Sequence, residues 1–248
     1  MTPHVSVVMP VRDGRRFLSF AIESVLSQTV RDLELVVVDD GSRDESPEIV
    51  RGFAARDERV RLLRQEPGGI SAALNAGLEA ANGRWVARLD ADDVALPGRL
   101  ERQLAAARSR PDVVVWASWA ETIDVAGGAI GLVSTGPLTD AEFARDHAAG
   151  FVEILHPTVM LRRDLALEVG GYDSRFDGAE DVELWDRMGD FGPMLTIPEL
   201  LVRFRVHGGS FSTARFTEGV RIQRFVAARR RAVARGEELD FDTFLASE

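Results

Sequence analysis

Short apolar runs and helix-spaced apolar positions alternate along the first hundred residues. Residues 5–9 (VSVVM) form a compact, β-branched apolar run, the mark of a strand buried on both faces. Over 16–27 the apolar residues fall at Phe17, Leu18, Ala21, Ile22, Val25 and Leu26, which is one face of a helix. Residues 33–38 (LELVVV) predict a second strand, and 44–55 a helix that tolerates Pro47 only in its first turn. A third strand is expected at 60–63. A helix follows at 71–81, with Ser71 as its cap and Gly83 as its stop. A fourth strand at 85–89 and a helix at 97–108 complete the series. This alternation predicts parallel strands with helices on both faces.

The second half is less regular. It predicts a strand at 113–119 (VVVWASW), a Gly-Gly hairpin turn within 124–131, a short helix at 139–147 and a strand at 157–161. After a break at Gly170-Gly171 come a helix at 180–188, a strand at 201–206 and a long, arginine-rich amphipathic helix at 215–235. No repeat, low-complexity tract or separating linker intervenes, so this half is expected to pack on the same sheet.

Composition narrows the chemistry. With 248 residues, 45% hydrophobic and 28% charged, the chain can bury a proper core. Forty acidic residues against thirty basic ones give a net charge of −10, which argues against a nucleic-acid partner. There is no cysteine, which removes disulfides, thiolate metal sites and cysteine nucleophiles. There is also no lysine, which excludes a P-loop lysine, a Schiff base and a serine–lysine dyad. No run of eighteen apolar residues occurs, and the first residues read as a strand rather than a signal peptide. The expected location is the cytoplasm.

Four groups of polar residues are candidates for chemistry. Asp90-Ala91-Asp92-Asp93 follows the fourth strand, where open α/β sheets bind ligands. Asp90 and Asp92 share a side of an extended segment, and crowded carboxylates call for a hard cation such as Mg²⁺ or Mn²⁺. The plain alternative is a polar turn. Asp39-Asp40 ends the second strand and offers acceptors to a nucleobase imide or a ribose hydroxyl, although Asp-Gly-Ser is also a strong turn sequence. Glu180-Asp181, with Trp185 one turn on, places acids at a helix start, where the helix dipole favours them and where one could act as a general base. Arg205 and His207 share one side of a strand before two glycines and suit a phosphate or a metal. His4, His147 and His156 have weaker claims; His156 precedes Pro157 and is expected in a restrained, extended segment.

Taken in order, these pieces resemble the family 2 glycosyltransferases of the GT-A fold. The pieces are VSVVMPVRDG (5–14), ESVLSQT (23–29), LELVVVDDGSRDES (33–46), GGISAALNAGLEAANGRWVARLDADD (68–93) and LPGRLERQ (96–103). HPTVMLRR (156–163), GGYD (170–173), AEDVELWDRM (179–188) and RFRVHGGSFS (203–212) follow. Each alone is weak, but eight or nine in the family's order are specific. The resemblance implies a Rossmann-like, mostly parallel α/β sheet: residues 1–110 bind the nucleotide sugar, 111–212 the acceptor, and 213–248 form a helical extension. It implies that Pro10, Val11, Asp40 and Asp39 hold a uracil-type base, and that Asp90 and Asp92 form a D-x-D pair for ribose and metal, with Ala91 between them. It further implies that Asp181, beside Glu180, is the catalytic base and that His207 reaches the metal or diphosphate. Trp185 and Arg205 join the substrate contacts. Some members carry arginine or asparagine just before the ISAALN-like helix; here Gly68 and Gly69 stand there, leaving recognition to backbone groups.

The implied reaction is an inverting transfer from a nucleotide-diphosphate sugar, uridine- or thymidine-linked, to a hydroxyl. The acceptor is a carbohydrate, a lipid-linked molecule or a small molecule, as in cell-surface polysaccharide or glycoconjugate synthesis. Two rivals are a sugar-nucleotide-forming nucleotidyltransferase, disfavoured by the missing lysine and glycine-rich first loop, and a non-catalytic nucleotide-sugar-binding partner, disfavoured by the intact carboxylate set. In the last long helix, Arg221, Arg224, Arg229, Arg230 and Arg231 could rest on anionic lipid at the inner membrane face, with Ile222, Phe225 and Val226 inward. The acidic stretch at 237–242 favours simple packing on the domain. A homodimer through this helix is a third option.

Overall fold

A computed structural model describes residues 4–208 and 216–247. The first strand, β1 (Val5–Val11), is flanked by β2 (Leu33–Asp40) and β4 (Trp85–Arg88), both parallel to it, and β3 (Val60–Gln65) lies parallel outside β2. Helices α1 (Leu18–Leu26), α2 (Ser46–Ala54) and α3 (Ile70–Ala80) make the crossovers. Every residue of β1 and β2 is buried, which is why their sequences read as apolar runs rather than alternations. Each fully buried valine or leucine there contributes about 1.5–3 kcal/mol over leaving it exposed. An aspartate at Val37, which has no exposure, would leave a charge unpaired in the core.

The chain continues through β5 (Val94–Ala95), α4 (Arg99–Ser109), β6 (Val115–Ile123), β7 (Ala129–Val133), α5 (Asp140–Ala148), β8 (Met160–Arg162), α6 (Arg163–Glu168), α7 (Glu180–Met188) and β9 (Met194–Arg205). It ends in α8 (Phe216–Ala234) and α9 (Phe241–Ser247). One sheet runs through both halves in the order β3-β2-β1-β4-β8-β6-β9-β5, with β7 paired to β6. The chain leaves β1 toward β2 and β3, then returns to the other side of β1 as β4. That reversal opens a crevice at the carboxyl ends of β1 and β4.

Several predicted boundaries move. Gly69, at φ 89°, caps α3 in place of Ser71, which lies in the first turn. His156, expected to be extended, starts a 3-10 turn with Pro157, and the strand begins only at Met160. Strand β9 starts seven residues before the predicted 201. Its register against β6 shifts where Pro198 and Glu199 bulge between Ile197 and Leu200, because proline cannot donate to the ladder. α5 opens on a capping box between Thr139 and Glu142.

The apolar face of α8 is packed on the domain. Ile222, Phe225 and Val226 join Phe176, Ala179, Val182 and Phe244 in a separate cluster against α7. Arg229 pairs with Glu183 and Asp186, and Arg230 with Asp186 and Asp190. Arg221, Arg224 and Arg231 are on the surface. Residues 209–215, which include the expected 212/213 boundary and the start of the predicted 215–235 helix, lie outside the described residues. No helix among the described residues is long and apolar enough to cross a membrane.

Candidate active site

A cavity of about 610 Å³ opens at the reversal of strand order. Pro10 and Val11 reach it from the end of β1, Asp40 from the end of β2, and Gly69 from the start of α3. Asp90, Ala91 and Asp92 line it from the turn after β4, and His207 from beyond β9. Sequence positions nearly two hundred residues apart therefore share one hollow. Arg12, Arg16 and Phe17 complete the near wall.

Asp40 is buried and almost fully engaged. One oxygen accepts from Gln65 Nε2 (2.8 Å) and the Gly68 amide (2.7 Å), the other from the Gly69 amide (3.0 Å). Arg12 Nη1 stands 3.8 Å from the second oxygen. Asp40 thus fixes the 68–69 turn from below. Asp177 holds the first turn of α3 that follows, accepting from Ser71 Oγ (2.5 Å). A Cβ at Gly69 would meet Asp177 Oδ2 at 2.6 Å, so both φ and space require glycine there. With two carboxylates already at its amino end, α3 offers no free anion site to a phosphate.

The turn after β4 gathers acids. Asp90, Asp92 and Asp93 bring carboxylate oxygens within 4.8 Å of one another. Arg88 pairs with both oxygens of Asp90. Asp92 Oδ2 lies 2.8 Å from His207 Nε2. Asp93 is wholly buried; one oxygen accepts from the Arg205 amide (2.8 Å) and the other has no hydrogen-bond partner. Burial, then the charges of Asp90 and Asp92, push the Asp93 carboxyl well above the ordinary range. Burial also raises Asp90, against the pull of Arg88. Clustered oxygen donors, a nearby imidazole and an orphaned buried carboxylate oxygen are the donor set a hard divalent ion takes.

A second cluster lies close by. His156, Glu180 and Asp181 bring their ligating atoms within 4.8 Å of each other. His156 Nδ1 is 3.7 Å from Glu180 Oε1 and 3.9 Å from Asp181 Oδ2, and its Nε2 is 2.9 Å from the Tyr172 hydroxyl. Burial, then Arg88, drives the imidazole well below its usual value, so it is neutral. Burial and the neighbouring Asp181 push Glu180 up to about 7. Burial also raises Asp181, whose charge is felt by Asp90.

Four expected contacts are placed elsewhere. Asp39 points to the opposite face of β2 from Asp40, where Arg64 Nε (2.9 Å) and the Ser42 amide (3.1 Å) occupy it. Trp185 is 1% exposed, packed edge-on against His156 inside the core. Arg205 holds the site together instead of lining it. Its guanidinium donates to the carbonyls of Asp92 and Asp124 (2.8 Å each) and lies over the Phe17 ring. Glu180 likewise lies outside the cavity wall, beside His156. Sequence reasoning passed over Arg88 and Asp177. Arg88 had a signal: two residues before Asp90 on a strand, it shares that residue's face. Asp177 had none, because its partner Ser71 is 106 positions away.

A sequence model described as glycosyl transferase family 2 matches residues 6–146. An O-antigen biosynthesis glycosyltransferase of Escherichia coli, WbnJ, is 28% identical over 217 residues, covering 83% of this chain and 81% of that protein. An uncharacterized glycosyltransferase of Rickettsia prowazekii is 27% identical over 83% of the chain, which spans 65% of that relative's length. Among solved structures, Staphylococcus aureus TarS residues 1–349 with UDP-GlcNAc superposes with a TM-score of 0.67 at 19% identity, covering 88% of this chain and 65% of that one. The mannosyltransferase PcManGT of Pyrobaculum calidifontis, solved with GDP-Man and Mn²⁺, gives 0.64 at 18% identity over 100% and 69%. These likenesses establish a GT-A architecture.

Proposed function

The chain belongs to glycosyl transferase family 2, and from that premise we propose that it moves a sugar from a nucleotide-diphosphate donor to an acceptor hydroxyl with inversion. One observation carries this reading. Asp40, Asp90, Asp92 and His207 line a single cavity at the strand ends.

The base is a uracil or thymine. A carboxylate has about four acceptor positions, and Asp40 spends three on Gln65, Gly68 and Gly69. The one left suits the single imide N–H of a pyrimidine dione better than guanine's adjacent pair of donors. Arg12, beside Asp40, supplies a donor for a flanking carbonyl. Pro10 and Val11 give the ring an apolar floor, and Gly69 lines the cavity beside Asp40.

Asp90, Asp92 and His207 would hold Mg²⁺ or Mn²⁺, with Asp93 buried behind them. The ion, when bound, neutralises the diphosphate and so makes it a better leaving group. Asp181 takes the proton from the acceptor hydroxyl as that oxygen attacks the anomeric carbon from the far face. Burial raises its affinity for a proton, which suits a general base. No covalent intermediate with the enzyme forms.

Residues 1–110 bind the donor, 111–212 shape the acceptor side, and 213–248 brace α7. Consistent with this, the cavity residues come from the first hundred positions except His207. The O-antigen relative supports an acceptor in surface polysaccharide or glycoconjugate synthesis. The test is nucleotide release from a panel of UDP-, dTDP- and GDP-sugars with Mn²⁺ and a mixed acceptor pool. Release from a uridine or thymidine donor, abolished in Asp181→Ala, supports the reading. Pyrophosphate formed from sugar phosphate and nucleoside triphosphate would replace it with nucleotidyl transfer, and binding without turnover would reduce the protein to a non-catalytic partner.

A further inference from the structure

Arg88 holds Asp90, the first acid of the turn after β4. Its side chain is 7% exposed, and two of its nitrogens take both oxygens of Asp90. Asp93, Tyr172 and Glu180 also act on its charge, and its own charge acts on Asp181 and His156; Arg99 is the nearby cation. Its Nε is buried with no hydrogen-bond partner. A guanidinium has five N–H donors in a rigid fork. Here part of that fork is committed to Asp90 and a buried part is unspent. Both oxygens of Asp90 are thus already on a cation, and a second cation can use them only by sharing or exchange.

Resting on the donor-site reading above, we propose that Arg88 is a positioning residue. It is an internal cation that occupies the coordination positions of Asp90 and yields them when a divalent ion and nucleotide diphosphate load. The arrangement keeps Asp90 paired until the ion arrives.

The test measures Mn²⁺ affinity of the purified chain without nucleotide, from the free-Mn²⁺ electron paramagnetic resonance signal. Wild type, Arg88→Met and Arg88→Lys are compared. Methionine keeps bulk and removes the competing charge, so R88M is expected to bind Mn²⁺ about tenfold more tightly, the direction that removing a cation a few ångströms away must give. R88K keeps a point charge without the fork and falls between R88M and wild type. A misfolded variant does not gain affinity, so tightening cannot come from structural damage. If R88M does not fold, R88K decides: it must bind Mn²⁺ more tightly than wild type. Variants that bind no more tightly than wild type would overturn the proposal. Mn²⁺-dependent UDP binding by wild type reports separately on the donor-site reading.

Discussion

The cluster Asp90–Asp92–Asp93 and the cluster His156–Glu180–Asp181 are built alike, yet their neighbours give them different chemistry. Each brings three ligating side chains within 4.8 Å. In the first, Asp90 and Asp92 open onto the cavity, Asp90 is paired with Arg88, Asp92 meets the His207 imidazole, and burial raises Asp90 and Asp93. In the second, burial raises Glu180 and Asp181 as well, but the imidazole is neutral and no guanidinium among the described residues pairs directly with either acid. A cavity-facing cluster held by a guanidinium and an imidazole suits an ion; a buried one with no directly paired cation suits accepting a proton. The lesson is that counting carboxylates does not assign a role, whereas their counter-charges do.

The sharpest way to break the comparison is to remove one acid from each side. Asp181→Ala should lower the transfer rate by about 10²–10⁴-fold, the usual span for a lost general base, with nucleotide affinity unchanged in a binding titration. Asp92→Ala should lower it by roughly 10²-fold through lost charge stabilisation, and here the Mn²⁺ dependence of nucleotide binding should vanish as well. If both variants lose binding equally, the two clusters do not have separate roles.

A pH experiment sharpens the same contrast. Glu180 titrates at about 7 in the folded chain against an ordinary 4.5. The unfolded chain therefore releases this proton first as pH rises. The fold loses stability progressively from about 4.5 to about 7, and the loss stays constant above that. Glu180→Gln removes the loss. It should be more stable than wild type by about 1–3 kcal/mol at pH 8, and the difference should disappear below pH 4.5 in urea titrations. The smallest effect is expected between the clusters' supports. Asp177→Ala removes the carboxylate at the α3 amino end and should cost about 1 kcal/mol of stability, with a modest rise in donor KM because Ser71, in the first turn beside Gly69, loses its partner.

How much was legible follows from how local each signal is. The β1-to-α4 alternation was readable because each element carries its own period, and the strand-end acids were readable because the fold class fixes where strand ends go. Strand β9 was half read because the bulge at Pro198 and Glu199 looks, in sequence, like an end. The short β5, α6 and α9 were missed, being too brief to show a period. Asp39 and Asp40 could be separated by strand alternation alone, but Trp185 could not, since a helix start does not say which of its faces meets the core. Arg205 looked like a phosphate ligand and proved to be a strut, because its partners are backbone carbonyls that sequence does not display.

The central claim is that Asp90 and Asp92 hold a divalent ion through which a uridine- or thymidine-type diphosphate binds at the strand ends. It is tested most directly by the thermal shift of the wild-type chain with UDP, in Mn²⁺ and in EDTA. A ligand at a hundred times its Kd stabilises the native state by about 2.7 kcal/mol. The account predicts such a shift with UDP and Mn²⁺ together, little with either alone, and none for Asp92→Ala. An equal shift in EDTA, or one that survives in Asp92→Ala, would contradict it.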